Sequence, residues 1–324
     1  MTEERTCGRI AGMLVVAATV MFVAGGAFAE EEPEASEGPP LPLHTIEGVG
    51  GLVLTPMAIL VNPGPPGTTI GKPAVAVHVG GIGHKDFEAA SFTWTLFERL
   101  ELGYAVNILG LDDFEDDLQV ELGGAVENGP TPGPDIRTGH IGLHHFNARL
   151  NLIREGEWDQ AWMPAVTAGV HYKYNDEIHK INRRLGDALE TIGYNDNDGV
   201  DFTLTATKAV PVLGKPVLFT AGARASKAAQ LGLVGFTDDY QVVFEGSALV
   251  LVTDRLAVGT EYRQMPDQMG RIAGVIKGES DWWDVHAAYI VNDHMNIYAV
   301  VGDVGTVLNQ RDEILYALVL KYEF

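Results

Sequence analysis

The 324-residue sequence holds a single cysteine, Cys7, so whatever follows it has no disulfide, no thiolate nucleophile and no cysteine-based metal site. Beyond residue 30 it also lacks any run approaching the roughly 20 apolar residues that a spanning helix needs, although 46% of the chain is hydrophobic. Basic residues are scarce, 22 against 44 acidic ones. The formal charge of -22 argues against a nucleic-acid partner, because phosphate binding needs clustered Lys and Arg. Glycine is plentiful, with 38 residues, and suits a turn-rich β protein.

The longest apolar run, Met13 to Ala24, is preceded by Arg5 and Arg9 and followed by Ala27-Phe28-Ala29. It is too short for a membrane helix and ends in a small-x-small pattern. Residues 1–29 therefore read as a secretory signal, although Glu3 and Glu4 neutralise its n-region. Cys7 lies inside it and follows no lipoprotein-type apolar triplet. Residues 30–43 are acidic and proline-rich, have little to bury, and read as a disordered linker. The folded domain is expected at 44–324, opening with a glycine-rich segment at 44–72 that allows close backbone packing. A secreted chain without disulfides must be held by a large core or by closure in a membrane.

From residue 74 onward, alternating runs follow one another. Val75, Val77 and Val79 alternate with Ala74, Ala76 and His78; Phe92, Trp94 and Leu96 alternate with Ser91, Thr93 and Thr95. Further runs lie at 101–108, 139–153, 162–174, 199–210, 216–227, 240–252, 255–264, 281–291, 295–303 and 313–324. Each is about ten residues with one nearly pure apolar row, the pattern of a tilted strand crossing a bilayer. Residues 95–104, 251–260 and 290–298 repeat one plan, an acid–base pair in a tight turn followed by a new strand. That predicts antiparallel up-and-down hairpins, with tight turns at one end and longer loops at the other. The expected fold is all-β, a transmembrane barrel of about twelve strands. Fourteen is the alternative, because Asp117–Gly124 and Gly50–Leu54 would add strands unless the second is a plug or a periplasmic element.

The last run, Glu313 to Phe324, resembles the closing strand of bacterial outer-membrane β-barrels. Tyr322 and Phe324 stand where that family carries the aromatic signal read by the barrel-assembly machinery. They are expected to face lipid at the periplasmic rim, with Lys321 and Glu323 at the lumen mouth. The opening His44 to Ala58, with its glycine cluster and Thr55-Pro56, and the stretch Asp201 to Lys208 resemble a family of proteobacterial outer-membrane proteins, domain of unknown function 3034. The resemblance implies a barrel in the outer membrane of a bacterial cell and no known activity.

Alternation assigns the inner row. It holds Arg149, Lys173, Arg224 and Arg263 beside Glu101, Asp201, Glu245, Glu261 and Asp284, with His78, His171 and His286. These charges either pair into a closure or line a wet channel. Lys208 falls on the lipid row and is expected near the periplasmic interface, where it can snorkel. Ile178, Ile181, Leu185, Leu189 and Ile192 recur at helical spacing and predict a short helix in the 175–199 loop, capped by Asp176, as a gate or a packing element.

Three candidate ion sites read as something else. His144-His145 breaks the apolar phase and reads as a β-bulge rather than a metal site with His140. Tyr194 to Gly199 resembles part of a calcium loop but has Tyr194 and Thr205 where carboxylates are needed. The acidic run Asp112 to Asp117 reads as a solvated loop. Ser226, Ser247 and Ser280 have no matching His, so no enzyme, cofactor or metal is expected. Two readings remain: a passive channel for small polar solutes, or a non-conducting structural or assembly-partner barrel closed by lumen salt bridges. In either case the surroundings are outer-membrane lipid.

Overall fold

A computed structural model of the chain describes residues 41–111, 139–272, 276–311 and 313–324. Twelve strands close into one antiparallel barrel. They are β3 (Ala74–Ile82), β4 (Lys85–Leu96), β5 (Leu100–Gly110), β6 (His140–Ile153), β7 (Ala165–Asn175), β8 (Asp198–Val212), β9 (Lys215–Ala228), β10 (Phe236–Thr253), β11 (Leu256–Arg263), β12 (Trp282–Ile290), β13 (Met295–Asp303) and β14 (Ile314–Glu323). Each pairs with the next, and β14 returns to pair with β3 from Leu315↔Ile82 to Glu323↔Ala74. Two further pieces, β1 (Leu43–His44) and β2 (Gly50–Gly51), pair with each other apart from the barrel. The fourteen-strand alternative is thus not realised. The signal, the Asp112 to Asp117 run and the Asp117 to Gly124 piece lie outside the described residues, as does the linker up to residue 40.

The hairpin turns follow their local chemistry. Val212↔Lys215 closes a two-residue turn in which Leu213 and Gly214 both have positive φ, 51 and 77, the mirror-image geometry that matches strand twist. Turns at 97–99, 213–214, 254–255 and 291–294 share one end of the barrel with the chain end at Phe324 and with one longer connection, 154–164. Longer connections at 176–197, 264–281 and 304–313 share the other. By that asymmetry the first end is periplasmic and the second extracellular.

The outer face carries Phe146, Phe202, Leu204, Phe219, Val242, Phe244, Val285, Val301 and Leu318, each between 45% and 62% exposed. Soluble domains rarely present such an apolar belt, whereas a barrel in the bacterial outer membrane requires one. Lys208, on this row, bends to the periplasmic turn, where its Nζ meets Glu155 at 2.9 Å and donates to the Ala161 carbonyl at 2.6 Å.

Two local expectations are corrected. At His144-His145 there is no bulge, because β6 keeps continuous register with β5 and β7 there and slips only between Asn151 and Ile153. The inner row of β6 runs Ile141, Leu143, His145, Asn147, Arg149, Asn151, so the interior changes from apolar to polar along the barrel axis. That change mimics a phase shift in the sequence. The predicted helix, α1 (Ile178–Arg184), forms with Ile178 and Ile181 buried, but Asp176 does not cap it. Asn175 Oδ1 accepts the amides of Glu177 and Ile178 at 3.1 and 2.9 Å, while Asp176 Oδ1 accepts the Gly142 amide at 2.9 Å.

Candidate functional site

The glycine-rich opening lies inside the barrel. The chain enters at the periplasmic end, where Lys321 Nζ donates to the Pro42 carbonyl and pairs with Glu323. It climbs past His44, turns back through Gly48–Leu54, and returns toward the same end, where the Val61 carbonyl accepts from Thr95 Oγ1 at 2.5 Å. Glycine is needed where this backbone touches the wall. Gly48 has φ +76, and a Cβ on it would lie 2.7 Å from the Ala105 Cβ.

An inserted backbone must have its polar groups satisfied, and the inner rows of the strands do this. Glu101 accepts the amides of Gly50 and Val61 at 3.0 and 2.8 Å. Arg149 pairs with Glu101 at 3.4 Å and donates to the carbonyls of Gly50 at 2.5 Å and Met57 at 2.8 Å. Glu261 accepts three successive amides, from Val53, from Leu54 at 2.6 Å and from Thr55 at 2.6 Å. Tyr298 Oη donates to the His44 carbonyl at 2.8 Å, and Thr167 Oγ1 to that of Ala58 at 2.6 Å.

At the centre of the contact stands Glu47. Its carboxylate meets Lys173 at 2.7 Å, Arg224 at 2.9 Å and Arg263 at 2.8 Å. Asp201 pairs with Lys173 at 2.8 Å and Arg224 at 3.0 Å; Glu245 pairs with Arg224 at 3.4 Å and Arg263 at 3.1 Å. Three carboxylates therefore face three cations, all shielded from solvent. Below them, His171 bridges Asn147 and Thr203, both at 2.8 Å.

Above this network the interior is apolar. The extracellular connections fold inward and bring Leu231, Leu233, Met269, Ile276, Val307 and Leu308 onto the wall residues Ile82, Phe87, Leu109, Leu143 and Trp282. Helix α1 joins this cluster through Ile178 and Ile181, so it packs over the strand ends.

All eleven residues assigned to the inner row from Glu101 to His286 are on the inner face, none more than 4% exposed. They contact each other and the inserted segment. His78 is also interior and sits edge-on to Tyr298 at 6.2 Å. His144 and His145 point to opposite faces: His144 meets Tyr104 Oη at 2.9 Å, and His145 meets Asn107 at 3.2 Å. Ser226, on the inner row, accepts the Ala228 amide at 3.0 Å. Ser247, opposite Glu261 in register, is interior too. Tyr322 and Phe324 lie on the outer row with ring centroids 5.0 Å apart. Sequence reasoning missed Glu47. Its signal was available, because it is the only acidic residue between positions 44 and 72.

The family profile described as Protein of unknown function (DUF3034) matches residues 42–317. No curated protein matches the chain. Among solved structures, the Acinetobacter baumannii outer membrane protein Omp33 is 12% identical over 79% of this chain and 99% of that one, with a TM-score of 0.43. An outer membrane channel from Pseudomonas putida F1 is 13% identical over 81% and 100%, with a TM-score of 0.42. A KdgM porin is 11% identical over 78% and 99%, with a TM-score of 0.42.

Proposed function

The chain belongs to the Protein of unknown function (DUF3034) family, and from that premise we propose that it is a gated outer-membrane channel for small polar solutes, closed at rest by residues 41–62. The observation that carries this reading is the seat of Glu47 among Lys173, Arg224 and Arg263. A barrel of twelve strands is wider than its own side chains can fill, and the inserted segment occupies the space. Buried ion pairs seldom stabilise more than a well-packed apolar interior would. Their placement on the wall therefore suits an interior that becomes wet when the segment withdraws toward the periplasm. Tyr322 and Phe324, at the periplasmic rim, serve on this reading as the signal to the assembly machinery.

A second reading, a permanently closed structural barrel, is favoured by the apolar cap over the extracellular half. Planar-bilayer recordings separate the two. The gated reading expects the intact protein to stay mostly closed, and a variant with residues 44–62 replaced by a flexible linker to conduct steadily, because the cap residues Leu231 and Leu233 then lose Ile46 and Leu54, with which they line one void. If neither form conducts, the structural reading stands. Steady conductance by the intact protein would sink both.

A further inference from the structure

The ion-pair network around Glu47 is balanced; a second buried cluster beside it is not. Glu261 on β11 and Asp284 on β12 are direct cross-strand partners, and both are buried. Among the described residues, neither has a Lys or Arg within ion-pair distance. Their neighbour is His286, whose Nδ1 lies 2.8 Å from Asp284 Oδ1 and 4.0 Å from Glu261 Oε1. One ligand atom from each of the three lies within 4.8 Å of the others.

Glu261 is held in part by the three segment amides, but neither carboxylate meets a fixed cation, and two carboxylates facing each other away from water are costly unless something positive sits between them. Unused polar atoms surround them. Asp284 Oδ2 and, across the strand from Glu261, Ser247 Oγ are buried and have no hydrogen-bond partner. The histidine is set for the same place. Its Nε2 packs against Gly259, where a Cβ would lie 2.3 Å away, so the ring is held with Nδ1 toward the carboxylates.

We propose that Glu261, Asp284 and His286 form a buried site for a divalent transition-metal ion of the zinc type. An imidazole beside two carboxylates suits such an ion, whereas calcium and magnesium favour oxygen-only sets. Three protein ligands leave one position for water or for Ser247 Oγ. In the closed barrel Glu261 shares its oxygens between the ion and the amides of Val53, Leu54 and Thr55, and withdrawal of the segment leaves them to the ion alone.

The test uses full-length protein, folded in detergent, stripped with a chelator and titrated calorimetrically with Zn2+, Mg2+ and Ca2+. The expected result is one Zn2+ per chain, a higher Tm on loading, and little response to Mg2+ or Ca2+. Asp284→Asn and His286→Gln should each weaken Zn2+ binding by about tenfold or more, since loss of even an outer-shell partner costs a metal site about that much. His294→Gln, at the half-buried periplasmic turn remote from the cluster, should leave it unchanged. Asp284→Asn keeps the shape and removes a buried charge, so it carries the test even if His286→Gln fails to fold. The proposal is overturned if stripped protein takes up no Zn2+, if Ca2+ or Mg2+ binds instead, or if Asp284→Asn binds Zn2+ as tightly as the unaltered protein.

Discussion

The two halves of the barrel interior are closed by opposite chemistry. On the periplasmic side, residues 41–62 are held by directional polar contacts: Glu47 on three cations, Glu261 on three amides, and Arg149 on carbonyls. On the extracellular side, Leu231, Leu233, Val307 and Leu308 bury apolar side chains together, with only backbone groups such as the Leu233 carbonyl and the Leu308 amide taking polar partners. A polar seat is all-or-none, because removing one member strands its partners in a low dielectric. An apolar seat degrades in proportion to the surface lost. The halves should therefore answer substitutions differently, and only the polar half has walls that water would wet once it opens.

The largest effect is expected from Glu47→Ala. It leaves Lys173, Arg224 and Arg263 with one fewer buried counter-charge, a loss of about 3–5 kcal/mol by analogy with broken buried pairs. Because the barrel wall keeps its strand pairing, the loss should appear as release of the segment rather than global unfolding. Limited proteolysis from the periplasmic side should cut between residues 41 and 62, and bilayer conductance should rise. A protected segment and unchanged conductance would mean that Glu47 is not the latch.

Leu231→Ala should cost less, about 2 kcal/mol or somewhat more for the lost burial and the cavity left behind. Thermal unfolding should register that loss while the segment stays protected and the barrel stays shut. If Leu231→Ala opened the barrel as readily as Glu47→Ala, the division between latch and lid would collapse.

The contrast also explains what was legible in the sequence. Each strand faces lipid on one side, and that single constraint writes a period of two from Val75 to Phe324. Strand number, turn ends and the inner row all follow from it. The closure did not, because the partners of Glu101, Arg149 and Glu261 are backbone groups of the inserted segment, and backbone leaves no mark on residue type. The shift from Leu143 to His145 on one inner row looked like a bulge for a related reason, since the interior changes solvent character halfway along β6. Asn175 and Asp176 are adjacent and equally able to cap, and only the nearby Gly142 amide decides between them.

The smallest effect should come from the seam between the halves. Glu279, in the extracellular connection before β12, borders a narrow void shared with Arg224 and Arg263 below and Leu231 and Met265 above. Burial pushes its carboxyl up to about 7; the amides of Gln230 and Gln268 pull it back down, and Asp267 adds to the rise. Its ordinary value is 4.5, so between that pH and about 7 the folded cap holds a proton that the opened loop releases. Cap stability should therefore increase as pH falls through about 7, reach its full value below 4.5, and decline again as pH rises. Hydrogen exchange of the 229–235 amides, corrected for intrinsic rate, should be slower at the acid end of that window. Glu279→Gln should remove the dependence. Equal protection across the window would place the carboxylate in water and leave the seam without a titrating group, so that the two halves meet through contact alone.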